Sequence, residues 1–422
     1  MLIPKEDCQN LHKALYLEWL ETNGRGGFAS GSVAGANTRR YHALLLAANT
    51  PPVDRFVLVN HVEEWLEIEG THIPLSTNVY DGALYPEGFR NCADFSSEPW
   101  PTWRYEVHGL CVVREVLCPH GRDAVILRWR LIAPSGGVPV TLHIRPMLSG
   151  RPFHSAHHEN SQLITEAQID EQEVSWQPYR NVPRVHAAHN GIYVHAPDWY
   201  RRIQYPVEQE RGLDHEEDWW SPGEFRYALT TGQTAEIVFA TDAWQQSSID
   251  QALSKERQRR QSLRGDALSE DPLIRTLWIA TDSYLASRGE NRTVLAGFPW
   301  FADWGRDTFI SLPGLCLVTG RHKVAWQVIE AFAGRISAGM VPNRFPDSGS
   351  EPEYNSIDAS LWFIHAVDRY VRYTNDVQGV RSTIWPAIKE IVDAYRRGTR
   401  FGIHMDSDGL ITGGGPSVQL TW

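Results

Sequence analysis

The densest group of chemically capable side chains is Gly297-Phe298-Pro299-Trp300-Phe301-Ala302-Asp303-Trp304-Gly305-Arg306-Asp307-Thr308. Large aromatics, aspartates and an arginine fall together there, just ahead of a stretch with helical spacing. Arginine presents N–H donors in a fixed fork, whereas a carboxylate presents only acceptors. Side by side at a helix start, Arg306 and Asp307 can hold two neighbouring sugar hydroxyls, one through donors and one through an acceptor. Trp300, Phe301 and Trp304 offer flat apolar faces for a sugar ring, and Asp303 adds another acceptor. The plainer reading of the same run is a helix cap at Asp307 beside a buried aromatic plug.

A second group follows in Val341-Pro342-Asn343-Arg344-Phe345-Pro346-Asp347 and Glu351-Pro352-Glu353-Tyr354-Asn355-Ser356-Ile357-Asp358. Asn343, Arg344, Glu353 and Tyr354 are candidate ligand contacts, and Asp358 either caps the next helix or binds a hydroxyl. Two polar and aromatic loops, each leading into a helix, favour one shared pocket. Other signals are weaker. Gly24-Arg25-Gly26-Gly27-Phe28-Ala29 matches a relaxed dinucleotide fingerprint, but Gly31 and Gly35 follow where a helix should begin, so a strand and turn fit better. His154, His157, His158 and Glu159 match no standard metal spacing, and no metal or cofactor is expected. The chain has no GxSxG, P-loop or HExxH motif.

The elements that must position these loops change character along the chain. Glu64–Ile68 alternates polar and apolar residues, Glu69-Gly70 makes a turn, and Thr71–Ile73 returns. Trp103–Val107, His108-Gly109 and Leu110–Cys118 repeat the pattern, and Val125–Leu131, Val140–Ile144, Ile192–His195, Phe225–Ala228 and Glu236–Ala240 continue it. Short alternating strands between turn residues predict a β-sandwich over 1–247. From 248 to 270 the spacing becomes helical and charged, which predicts a linker with a solvated basic face. Over 271–422 the apolar period is 3.6. Asp271-Pro272 starts the first helix, with Ile274, Leu277 and Tyr284 on one face. Asp307–Val318 is the second, interrupted near Pro313 and closed by Gly320. Val324, Val328 and Phe332 line a third. Leu361, Ile364, Val367 and Val371 line a fourth, and Val380, Ile384, Ile388, Ile391 and Tyr395 a fifth.

Composition sets outer limits. A net charge of −11 over 422 residues argues against nucleic acid as partner, because such binding needs basic surface to displace counterions. No apolar run is long enough for a membrane helix, so no membrane is expected as partner. The N-terminus lacks a basic-then-apolar leader. Cysteines 8, 92, 111, 118 and 316 form no CxxC pair and cannot all pair with one another, which suits reduced thiols in a cytoplasmic protein. Seventeen tryptophans suit sugar recognition, but on composition alone core packing is the better account of them.

Longer motifs carry a resemblance. Glu18-Trp19-Leu20-Glu21-Thr22-Asn23-Gly24 and Gly31-Ser32-Val33-Ala34-Gly35-Ala36-Asn37-Thr38-Arg39-Arg40-Tyr41-His42 are similar to the N-terminal domain of bacterial and archaeal glycogen-debranching enzymes. Phe298–Gly320, Pro342–Pro346, Glu351–Phe363 and Gln419-Leu420-Thr421-Trp422 resemble the start of that family's catalytic domain. The resemblance implies an N-terminal β-sandwich followed by an incomplete (α/α)6 barrel of glucoamylase type. It also implies amylo-α-1,6-glucosidase action on glycogen or another branched α-glucan. Arg306 and Asp307 would hold the terminal glucose between walls formed by Trp300, Phe301 and Trp304. Asn343, Arg344, Glu353, Tyr354 and Asp358 would be further contacts.

Enzymes of this kind look like inverting hydrolases, which place an acid and a base roughly 6.5–9.5 Å apart. In the family the Thr-Trp element runs on into Met-Asp, and that aspartate is the expected acid. This chain stops at Trp422. Neither catalytic carboxylate is then expected within it, and it is expected to be inactive by itself, with apolar helix faces left exposed. Two alternatives share the residues: another glucoamylase- or trehalase-like hydrolase, and a non-catalytic glycan-binding protein.

Overall fold

The computed structural model describes residues 1–132, 139–265, 270–346, 351–416 and 418–419. It divides into two compact units. One comprises Met1–Asn49 with Arg55–Arg260, the other Thr50–Asp54 with Gln261–Trp422.

The first unit is built from two large antiparallel sheets. One has nine strands, running spatially from Leu2–Ile3 and Cys92–Ser96 through Thr102–Val107, Leu110–Leu117, Ala124–Ile132 and Thr234–Ala240 to Val185–His189, Glu173–Trp176 and Ala167–Ile169. The other has ten and centres on the long strands Val53–Ile68, Val140–Pro152, Glu216–Leu229 and Ile192–Gln204. Trp103, Val112, Leu127, Trp129 and Phe239 from the first sheet share one buried core with Leu58, Leu66, Leu142, Ile144 and Phe225 from the second. Burial from both sheets into one cluster is what makes them a sandwich.

Turn chemistry explains the hairpins. Glu69 and Gly70 both have positive φ (50° and 76°), as do His108 and Gly109 (48° and 78°), the backbone that matches strand twist in a two-residue hairpin. Gly24 and Gly26 also have positive φ, between the paired strands Glu18–Thr22 and Phe28–Ser32. The fingerprint-like run is therefore a hairpin turn. Several strands outrun their expected limits: Val140–Pro152 was expected to end at Ile144, and Ile192–Gln204 at His195. Pro146, Pro197 and Pro222 sit inside these long strands, where proline usually marks a break. Register shifts absorb irregularities at Ile144/Leu148 and His195/Asp198.

The histidines do not converge. His154 meets the Tyr41 hydroxyl at 3.1 Å, His157 meets that of Tyr179 at 2.6 Å, and His158 approaches Asp218 at 3.7 Å. Among the described residues no group of three or more His, Cys, Asp or Glu is arranged to hold a metal ion, and no helix is long and apolar enough to cross a membrane.

The charged helix Ile249–Gly265 differs from a solvated linker. Ile249 and Leu253 are buried with Trp100, Leu117 and Trp244. Arg260 pairs with Glu21 at 2.6 Å and lies over the Trp100 ring. Basic side chains here cover sandwich surface with their stems while their heads find carboxylates. Residues 266–269 of the expected linker lie outside the described residues.

The second unit carries α1 (Pro272–Ala280), α2 (Gly305–Leu312), α3 (His322–Ala333), α4 (Ala359–Thr374) and α5 (Trp385–Arg397), with a hairpin of Leu285–Arg288 and Asn291–Val294. Asp271 caps α1 by accepting from the Leu273 N–H at 2.8 Å, with Pro272 in the first turn. The expected interruption at Pro313 is a π-turn, Pro313–Leu317, and Gly320 (φ 72°) ends it. Phe309, Leu312, Val328, Phe332, Phe363, Val367, Ile384, Ile388 and Ile391 form the core. Two expected faces are corrected. On α1, Ile274 and Leu277 are exposed and Trp278 is buried, while Tyr284 lies in a 3-10 turn beyond the helix. On α4, Val367 is buried and Ile364 and Val371 pack against the core as expected, but Leu361 faces outward and Phe363, Ala366 and Tyr370 complete the inner face. An amphipathic period locates a stripe but not the neighbour that covers it. The fold is the expected one: a β-sandwich, then consecutive helices of an incomplete (α/α)6 barrel.

Candidate active site

Three loop segments and Gln419 meet at the start of α2. The backbone of Trp304 bridges Arg344, and Arg344 bridges Glu353. The Gly305 N–H donates to the Asn343 carbonyl at 2.8 Å, and the Asn343 N–H to the Glu353 carbonyl at 2.8 Å. Gly305 is required by this approach, since a Cβ there would stand 2.1 Å from the Pro342 carbonyl oxygen. Gln419 arrives last. It bridges Ser356 in parallel, its N–H donating to the Asn355 carbonyl at 2.6 Å and its carbonyl accepting from the Ile357 N–H at 3.2 Å. The two expected polar loops therefore share one site.

Arg306 is at its centre. Its Nε donates to Asp358 Oδ1 at 2.6 Å, and an Nη donates to Ser356 Oγ at 3.1 Å and to the Gln419 carbonyl at 3.4 Å. Only 5% of the Arg306 side chain is exposed, against 27% for Asp358. The arginine thus orients Asp358. Ser356 Oγ donates to Asp358 at 2.8 Å and accepts from the Ala359 N–H at 3.2 Å. Asp358 is thus the N-cap residue of α4 by position, but the capping bond comes from Ser356, and of the two readings for the Asp358 side chain the helix cap is not the one formed: its Oδ1 accepts from Arg306.

Asp307 stands in the first turn of α2 and is not its cap, because the residue before the helix is Trp304. Burial pushes its carboxyl above the ordinary range, with Asp358 adding to the rise and Arg306 opposing it. A neighbouring arginine alone would hold Asp307 ionised. Desolvation outweighs that attraction because the guanidinium is turned toward Asp358. Phe301 (46% exposed) meets Trp304 edge to face at 6.0 Å, and Trp300 meets Phe301 at 6.3 Å. Arg344 lies over the Trp304 ring at 5.6 Å and approaches Glu353 at 3.7 Å. These side chains form an aromatic wall with a charged rim.

Three expected contacts are turned away. Asp303 is fully buried; both its oxygens accept from Arg288, at 2.5 and 2.6 Å, and one also accepts from Thr293 Oγ1 at 2.9 Å. It fastens the aromatic loop to the hairpin and is not open to a ligand. Asn343 is 1% exposed and its amide donates to Asn355 at 3.1 Å, so it joins loop to loop. The Tyr354 hydroxyl donates to the Arg335 carbonyl at 2.8 Å, and Arg400 covers its ring at 4.7 Å. Arg288, Ser356 and Gln419 were missed. Only Ser356, two residues before Asp358 at a helix start, left a local signal, as a hydroxyl cap. Asp347, Thr421 and Trp422 lie outside the described residues.

Comparison with known proteins identifies the family. The family described as "Glycogen debranching enzyme N terminal" matches residues 17–236, and that described as "Amylo-alpha-1,6-glucosidase" matches residues 279–422. A glycogen debranching enzyme of Saccharomyces cerevisiae is 44% identical over 94 residues, 21% of this chain and 6% of that protein. A bacterial glucoamylase complexed with acarbose has a TM-score of 0.47 at 10% identity, over 89% of this chain and 59% of that one. A putative kojibiose phosphorylase from the human microbiome has a TM-score of 0.49 at 9% identity, over 96% and 59%. The chain therefore spans 6% of the yeast relative and about three fifths of each solved chain. With family matches over most of its length, the chain belongs to the glycogen debranching enzyme family of glycoside hydrolases.

Proposed function

We propose that the chain supplies the sugar-holding side of an amylo-α-1,6-glucosidase that removes single glucose stubs from glycogen or another branched α-glucan. The observation that carries this reading is the pairing of Arg306 with Asp358 and the Gln419 carbonyl beside the Phe301–Trp304 wall. Asp307 and Asp358 are the acceptors for sugar hydroxyls, and Arg306 fixes the direction of Asp358. Trp300, Phe301 and Trp304 pack against the ring, with Arg344 and Glu353 at the rim. The wall excludes water from one side, which strengthens each hydrogen bond to the sugar.

Hydrolysis proceeds with inversion and without cofactor or metal. The acid protonates the leaving oxygen while the base directs water to the opposite face. In this reading Asp307 and Asp358 hold the sugar and do not serve as the acid and base, so the 422-residue chain by itself releases no glucose. The domain limits in the same reading are 1–247 for the sandwich, 248–270 for a linking helix that packs on it, and 271–422 for the barrel helices.

Titration with panose, which carries an α-1,6-linked glucose, tests the pocket. Binding is expected, with loss in Asp307→Ala and Asp358→Ala; equal binding of trehalose would favour a trehalase-like site instead. Glucose release from limit dextrin by the chain itself would overturn the claim of inactivity.

A further inference from the structure

A second concave site lies on the sandwich, well separated in sequence from the Arg306 pocket. The hairpin Val53–Ile68/Thr71–Pro74 and the hairpin Thr77–Tyr80/Ala83–Glu87 flank a cleft of about 500 Å³, within the roughly 300–1,000 Å³ range of small-ligand sites. Its lining includes Trp65, His72, Tyr85 and Pro86 together with Glu63 and Arg145. Tyr85 is 72% exposed.

The lining is held in place before any ligand arrives. Trp65 stacks on His143 with centroids 4.9 Å apart and planes 10° apart. His143 is in turn clamped by Glu224 at 2.8 Å and Glu67 at 3.1 Å. The Arg145 guanidinium lies 4.9 Å from the Trp65 ring centre and 5.4 Å from that of Tyr200. A floor fixed in this way loses little side-chain freedom on binding.

Charge decides what the cleft takes. Each of its carboxylates already has an arginine partner: Glu63 with Arg145 at 3.3 Å, Glu64 with Arg114 at 2.7 Å, and Glu87 with Arg90. Compensated charges offer little net attraction to a cation or an anion, yet their remaining lone pairs still accept from hydroxyls. Alternating ring faces and acceptors suit a neutral ligand with apolar faces and a rim of hydroxyls.

We propose that this cleft is a second carbohydrate site that binds a linear α-1,4-glucan segment, with Tyr85 as its ring platform. The proposal rests on the reading that the chain's substrate is a branched α-glucan. Such a site holds an outer chain of the polymer while the helical unit takes a branch stub.

Titration of the 422-residue chain with maltoheptaose and with panose tests it. Tyr85→Ala is expected to weaken maltoheptaose binding about five- to tenfold, the loss typical of removing one aromatic anchor, and to leave panose binding and Tm unchanged. Asp307→Ala is expected to do the reverse. Maltoheptaose is also expected to slow nitration of Tyr85, located by mass spectrometry. Panose binding with maltoheptaose affinity and Tyr85 nitration both unaffected would overturn the second site and leave the Arg306 pocket standing. No binding of either sugar would overturn both readings.

Discussion

Asp307 combines exposure to a ligand with a cost to the fold. Its carboxyl is pushed up mainly by burial, so the folded chain holds that proton more tightly than the unfolded chain does. The sign follows from linkage: this group favours the folded state most below the ordinary carboxylate range, and that contribution is lost as pH rises through the raised value. Asp307→Asn is therefore expected to match or exceed the wild-type Tm at pH 7, with the margin narrowing toward pH 4, while panose binding falls. Thermal melts at both pH values check this. A lower Tm at pH 7 would mean that the ionised carboxylate makes a native contact worth more than its desolvation. Such a trade between stability and binding is common where a polar group is held ready for a ligand. At this scale residue types were legible and partners were not. Arg306 and Asp307 announced a polar pocket by adjacency, but the arginine's partner is 52 residues away in Asp358. Asp303 looked like a ligand contact because its partner, Arg288, sits in a hairpin 15 residues earlier with no motif joining them.

The helices and loops of the second unit depend on close backbone approaches as much as on apolar faces. Gly305 starts α2 directly beneath the Pro342 carbonyl, and the same contact aligns the Trp304–Arg344 bridge. Gly305→Ala is expected to destabilise the second unit by about 1–3 kcal/mol, as overpacking typically does. A separate low-temperature transition in the melt would show it, and an unchanged melt would mean that the loop moves aside at no cost. Element type was largely readable: the hairpins at Glu69-Gly70 and His108-Gly109 came from turn residues, and all five expected apolar positions from Val380 to Tyr395 are buried. Element length was less so. Strands that bend through register shifts carry prolines in their middle, and the local pattern reads those as ends. The face of α1 was reversed for another reason: its sequence fixes an apolar stripe, while burial depends on what lies opposite.

Across the whole molecule, the two units differ in core rather than in exposed apolar surface. Tyr85, Ile169 and Ile192 of the first unit and Leu273, Leu277, Val318 and Val377 of the second are each more than half exposed, but the sandwich encloses the larger core of aromatic and branched side chains. Limited trypsin digestion is expected to cut first near Arg264 or Arg275, then to degrade the helical product faster than the sandwich product. A first cut inside 1–247 would count against the proposed domain limits. The pairing of Arg306 with the carbonyl of Gln419 also bears on how the protein is made. That contact spans 113 residues, and translation proceeds at about 5–20 residues per second, so at least roughly 6–20 seconds separate the synthesis of its two halves. During that interval the sandwich is complete and free to fold on the ribosome, while the guanidinium of Arg306 waits for the Gln419 carbonyl. Nascent chains arrested before codon 419 would therefore carry a finished N-terminal domain and an incomplete Arg306 site.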